Sequence, residues 1–239
     1  MHCHETEHYI FHYAHGSKAE LDITHIAAVQ EASYKQVTMM LGVSMNEKIH
    51  YYFYDSREEV GKENERRFGD YFPINGCTVS ENEILAVYSE HTQCIGAHED
   101  THLLMFTLGR PRSSFLEEGI ACGMDVLWWG LDNNAWVSYY RKKNRCPSVI
   151  ELLCLPQEDF YAVDDRVAYP LAGSFASYLL MRFDKDLFRQ FYLAEDYGVA
   201  AQNLFGISLH ELEEDFFQYI GLLDYDEIVY TRIADQLNE

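Results

Sequence analysis

The chain has 239 residues, of which 48% are hydrophobic and 24% charged, and its formal net charge of −21 argues against a nucleic-acid backbone as partner. This length can bury a large core as one compact domain or as two lobes, and no uninterrupted apolar stretch approaches the roughly 18 residues needed to cross a bilayer, so no membrane insertion is expected. The six cysteines form no CxxC pair and most are expected to be reduced, with a secreted, disulfide-linked form as the alternative that their even count allows. The first eight residues lack the basic and apolar regions of an export signal, which predicts a cytoplasmic protein; a secreted form would need a signal segment outside this sequence.

In chain order, Tyr9 to Tyr13 reads as a short strand, although His8, His12 and His15 break simple apolar alternation. The histidines of this stretch, His2, His4, His8, His12 and His15, are irregularly spaced and are expected in flexible or structural roles, with adventitious metal binding as the alternative. Residues from Asp22 to Leu41 carry a helical pattern that Gly42 ends. Lys48 to Tyr54, rich in Ile and Tyr, predicts a strand, and the polar interval Asp55 to Asp70 a short helix and a loop. Gly76 to Ser80 and Ile84 to Ser89 are expected to pair as strands across the turn Glu81-Asn82-Glu83. If the second strand feeds the next helix, the first presents an edge to an extended peptide, which makes Gly76, Cys77, Thr78, Val79 and Ser80 candidate substrate contacts. A hairpin that serves only the core is the competing reading.

The next segment carries chemistry. His98-Glu99-Asp100-Thr101-His102 is an HExxH sequence within a proline-free run, Cys94 to Leu108, that meets stop signals at Gly109 and Pro111. Residues four apart share a helix face, so His98 and His102 can direct imidazole nitrogens at one ion. Two neutral imidazoles and one carboxylate leave a fourth position for water, as catalytic zinc requires, and Glu99 stands beside that position as the natural general base. After the turn Gly109 to Arg112, Ser113 and Ser114 are candidate N-caps for a helix over about residues 114–129, which would return a carboxylate to the histidines. Glu117 and Glu118 compete for that role, because adjacent helix positions diverge by about 100° and only one should face the metal. Asp125, about two turns beyond Glu118, is the candidate to orient a ligating imidazole; Asp100 and Asp132 are alternatives unless they face solvent.

Farther along, the basic run Arg141 to Arg145 reads as a solvated loop before Pro147, or as a grip for a peptide carboxylate. Pro147 and Pro156 break the chain around Ser148 to Leu155, and a helix from Leu171 to Phe183 is expected to start after Pro170. Asp186 to Tyr192 and Leu209 to Tyr219 read as amphipathic helices whose aromatic residues serve packing.

The two motifs together resemble the gluzincins of the peptidase MA-like superfamily. The HExxH of residues 98–102 is followed by Phe115-Leu116-Glu117-Glu118-Gly119, similar to the aminopeptidase pattern of an aromatic residue, Leu, a variable residue, Glu and Gly. That resemblance places the third zinc ligand on Glu118. It implies an α+β, thermolysin-like fold: a single metallopeptidase-like domain over residues 1–239, with an N-terminal α/β lobe (1–92) containing a small mixed sheet, a mainly helical lobe (93–239) carrying both motifs, and an active-site cleft between them. It further implies one catalytic Zn2+ and a peptide or protein substrate. Tyr169, in Tyr169-Pro170-Leu171-Ala172-Gly173, resembles the gluzincin tyrosine that opens a downstream helix and donates to the tetrahedral intermediate, although the basic residue and glycine that follow it in aminopeptidases are absent. No GxMEN-like stretch precedes His98, which favours endopeptidase or specialised protein-processing activity over an aminopeptidase. A non-peptide amide or ester hydrolase, and a zinc-containing interaction protein without activity, are the other classes.

Overall fold

Strand β2 (Tyr9–Tyr13) shows how the sheet is built. Tyr9, Phe11 and Tyr13 are buried while Ile10 and His12 between them are half-buried, the alternation of a strand with two unequal faces. A computed structural model describes residues 1–239, an α+β chain that divides into two units, Met1–Leu108 and Gly109–Glu239.

The first unit contains β1 (His2–Glu5), β2 (Tyr9–Tyr13), α1 (Lys18–Leu41), β3 (Ile49–Tyr54), α2 (Arg57–Phe68), β4 (Gly76–Thr78), β5 (Glu83–Val87) and α3 (His98–Phe106). The sheet order is β1-β2-β3-β5-β4: β2, β3 and β5 run parallel, and both edge strands are antiparallel to their neighbours. One face carries Tyr9, Phe11, Tyr51 and Phe53 as a stack of rings, with Tyr9 set edge-on to Tyr34 of α1. The other face buries Leu85 and Val87 against Val60 of α2. Helix α1 starts earlier than its apolar pattern suggests, because the Ser17 side chain accepts from the Glu20 amide, and it stops at Gly42, whose φ of 66° suits glycine. Strand β4 is shorter than expected: Val79 and Ser80 lie beyond it, Val79 still donating its amide to the Glu83 carbonyl at 2.9 Å.

The boundary after Leu108 groups the HExxH helix with the sheet, whereas the expected division at residue 92 grouped it with the later helices. The reason is polar. Buried Asp100 accepts a short hydrogen bond from the Tyr9 hydroxyl and another from Gln30 Nε2 at 3.1 Å, so α3 is fastened to β2 and α1.

The second unit contains α4 (Ser114–Asp125), β6 (Leu127–Trp128), β7 (Leu131–Asp132), α5 (Asn133–Lys142), α6 (Val149–Leu153), α7 (Gln157–Phe160), α8 (Asp165–Arg182), α9 (Lys185–Tyr192), α10 (Tyr197–Ala200), a π-helical turn (Ala201–Phe205), α11 (Leu209–Leu222) and α12 (Glu227–Leu237). Helices α4 and α8 lie so close that a Cβ on Gly119 would sit 2.7 Å from the Ala172 carbonyl oxygen. Around them Phe115, Phe175 and Phe216 form a chain of tilted and edge-on ring contacts.

Three expectations are corrected here. Helix α4 ends at Asp125 rather than near residue 129, because Val126 takes a φ of 67° and Trp129 and Gly130, at 51° and 75°, form the tight turn of the β6–β7 hairpin. Helix α8 begins at Asp165, capped by the Asp164 carboxylate, so Tyr169 lies inside it and Pro170 is an interior proline. Proline has no amide to offer the carbonyl four residues back, and that carbonyl, on Arg166, instead accepts the Tyr140 hydroxyl at 3.2 Å. The basic run is exposed throughout, as expected, but it is not all loop: Arg141 and Lys142 close α5, and only Lys143 to Arg145 leave the helix. Arg141 lies over the Phe217 ring at 4.4 Å and Lys142 over Tyr230 at 3.9 Å, while Arg145 pairs with Glu239 at 2.7 Å. No helix is long and apolar enough to cross a membrane.

Candidate metal centre

Helix α3 opens directly on His98, so both histidines fall within its first two turns. Before it, the Gly96 amide donates to Gln30 Oε1 at 2.6 Å, and Gln30 Nε2 also donates to the Gly96 carbonyl at 3.2 Å. With Asp100 held by Tyr9 and Gln30, both the entry and the first turn of α3 are fixed in position. Burial, and then the Asp100 charge, push the Tyr9 phenol well above its ordinary range, so it remains a donor.

On the next face of that turn, His98 Nε2 and His102 Nε2 are 3.3 Å apart, with the two rings edge-on at 79°. Tetrahedral zinc with nitrogen bonds of about 2.0–2.1 Å places two donors about 3.3–3.4 Å from each other. The histidine pair therefore stands at chelating separation and fits the ion. His102 is 7% exposed and stacks on Phe106, which limits its rotamers.

Glu99 is buried and faces the sheet edge. A Cβ built on Gly76 would lie 2.8 Å from Glu99 Oε1 and 2.5 Å from Cys94 Sγ, so β4 passes directly beside the carboxylate and a larger residue there would push both side-chain ends aside. Burial, and then the nearby Glu99, push the Cys77 thiol up to about 11, which keeps it protonated and unreactive. Of the five expected strand residues, Gly76, Cys77 and Thr78 are in β4. Asn75 accepts from the Val87 amide and Val79 donates to Glu83; by alternation, the backbone groups of Gly76 and Thr78 turn to the unoccupied edge.

In the second unit, the two competing glutamates have different partners. Glu117 pairs with Arg110 at 3.5 Å, whereas Glu118 Oε1 accepts the Tyr161 hydroxyl at 3.2 Å. Both are 8% exposed. Tyr161 has no motif to mark it in the sequence; it follows the short helix α7, and only the fold brings it to Glu118. Tyr169 stacks on Trp128 with centroids 4.9 Å apart, and burial followed by Glu118 pushes its phenol far up, keeping the proton on oxygen. Asp125 is the last residue of α4 and is exposed, while Asp132 caps α5 by accepting from the Asn134 amide at 2.7 Å. Asp100, which the sequence left as a possible solvent-facing group, is fully buried.

Comparison of the chain with protein-family models and with curated proteins gives no match.

Proposed function

We propose that the chain is a zinc-dependent hydrolase of peptide bonds with a thermolysin-like, gluzincin arrangement, acting on internal bonds of peptides or in the processing of a specific protein. The observation that carries this reading is the His98–His102 pair, two imidazole nitrogens of one helix turned toward each other at 3.3 Å with a buried glutamate between them in sequence. Glu118 is the proposed third ligand, because two imidazoles and one carboxylate, with water in the fourth position, are a donor set of catalytic zinc. The Arg110 ion pair of Glu117 supports the choice of Glu118.

Zinc, when bound, supplies a water of lowered pKa and polarises the carbonyl to be cleaved. Glu99 takes a proton from the attacking water and returns it to the leaving amine nitrogen. Gly76 and Thr78 hold the substrate backbone as an added strand, which places the scissile region beside Glu99. Tyr161 orients Glu118 through its hydroxyl, and Tyr169, protonated at any physiological pH, is the proposed oxyanion donor.

Metal analysis and digestion of a mixed-peptide library test this reading together. The purified chain is expected to bind zinc and to cut internal bonds; Glu99→Gln should keep the metal and lose at least about 100-fold in turnover. Full activity in Glu99→Gln would remove the mechanism, and a zinc-loaded chain that cleaves nothing would favour an interaction protein.

A further inference from the structure

The sheet of the first unit carries a second histidine pair. His12 on β2 and His50 on β3 share the half-buried face, since Ile10 is in register with His50 and His12 with Tyr52. His12 Nε2 lies 3.0 Å from His50 Nδ1, with the rings nearly parallel at 11°, and the His12 ring stacks on Tyr52 at 4.3 Å. One proton shared between two imidazoles fills this gap, and so would a metal ion after the nitrogens separate to about 3.3 Å.

A third donor stands across the ladder. Cys3 on β1 is directly opposite His12, so both side chains leave the sheet on the same face, where cross-strand Cβ atoms are about 4.5–5.5 Å apart. Its thiol is exposed and in no disulfide. We propose that Cys3, His12 and His50 form a second metal site, for zinc or a cation of similar softness, that ties the edge strand β1 to β2 and β3. A thiolate with two imidazoles is a zinc donor set, with water completing the tetrahedron; on binding, the Cys3 thiol releases its proton to solvent. The sheet fixes the three backbones by register, so binding requires the Cys3 side chain to turn toward the histidines and the two imidazoles to part by about 0.3 Å.

Cobalt(II) added to the metal-free full chain distinguishes this site from the one on α3, because only a thiolate ligand gives a sulfur-to-cobalt charge-transfer band in the near ultraviolet. The chain is expected to take up a cobalt equivalent with that band. Cys3→Ser should abolish the band, and His12→Gln with His50→Gln should abolish both band and equivalent. His98→Gln with His102→Gln should leave the band intact, so failure of the α3 site and failure of this one are told apart. Cys3 is exposed, so its replacement leaves the fold intact even if the double histidine variant does not fold. A wild-type chain without the band at saturating cobalt, or a band that survives Cys3→Ser, overturns the proposal.

Discussion

The two units hold their motif-bearing helices by opposite means. In the first, α3 is fixed by hydrogen bonds: buried Asp100 collects the Tyr9 hydroxyl and the Gln30 amide, and Gln30 also clamps Gly96. In the second, α4 is fixed by shape, with Gly119 pressed on the Ala172 backbone and Gly123 close to Ser177 of α8. A polar anchor sets direction, since each bond has a preferred angle, whereas a steric anchor sets distance. The helix with two adjacent histidines has the first kind, and the helix with a single carboxylate has the second.

Four substitutions would break or sharpen that contrast. Asp100→Ala strands one buried donor of Gln30 Nε2 and leaves the Tyr9 hydroxyl only the Gln30 carbonyl at 3.1 Å, a loss of at least about 1–3 kcal/mol; chemical denaturation should show this as the largest loss, together with weakened zinc uptake. Asp100→Asn, which keeps the shape and an acceptor, should recover most of it. Gly119→Ala drives a methyl into backbone that cannot swing aside, so we expect a loss of about 1–3 kcal/mol by the same assay; an unchanged midpoint would mean that α4 and α8 are not held by contact. Tyr161→Phe removes the hydrogen bond to Glu118 and should lower zinc affinity about 10-fold in a chelator competition while leaving thermal stability nearly unaltered.

The smallest effect is a pH dependence on α2. Arg66, with Arg67 beside it, lowers the Glu63 carboxyl to about 2. A depressed carboxylate stabilises the fold above its unfolded value of 4.5, and that contribution is lost as pH falls from there toward about 2. Acid titration of Glu63→Gln should therefore show a shallower loss of stability over this interval than the parent chain. Identical slopes would mean that the Arg66–Glu63–Arg67 cluster contributes nothing measurable.

Local pattern specified what local forces decide. The strand from Tyr9 to Tyr13 and the helix end at Gly42 stand where alternation and a C-cap glycine put them, and the HExxH spacing sets both histidines on one face of a helix. What was illegible depends on distant partners. Pro170 reads as a helix start because nothing nearby can satisfy the Arg166 carbonyl, yet Tyr140 does so from another helix. Val126, a β-branched residue at positive φ, gives no local warning that α4 stops there, since the hairpin that follows imposes it. Histidines that look irregularly spaced along the chain become neighbours only through register, as with His12 and His50.

The interior proline of α8 has a further consequence. Its missing amide makes one rung of that helix depend on a side chain from α5, so the two segments share a stitch that neither completes alone. Pro170→Ala would let α8 close its own ladder and leave the Tyr140 phenol idle. A change that repairs one rod would thus unfasten its neighbour, and a stiffer α8 would come with a looser α5.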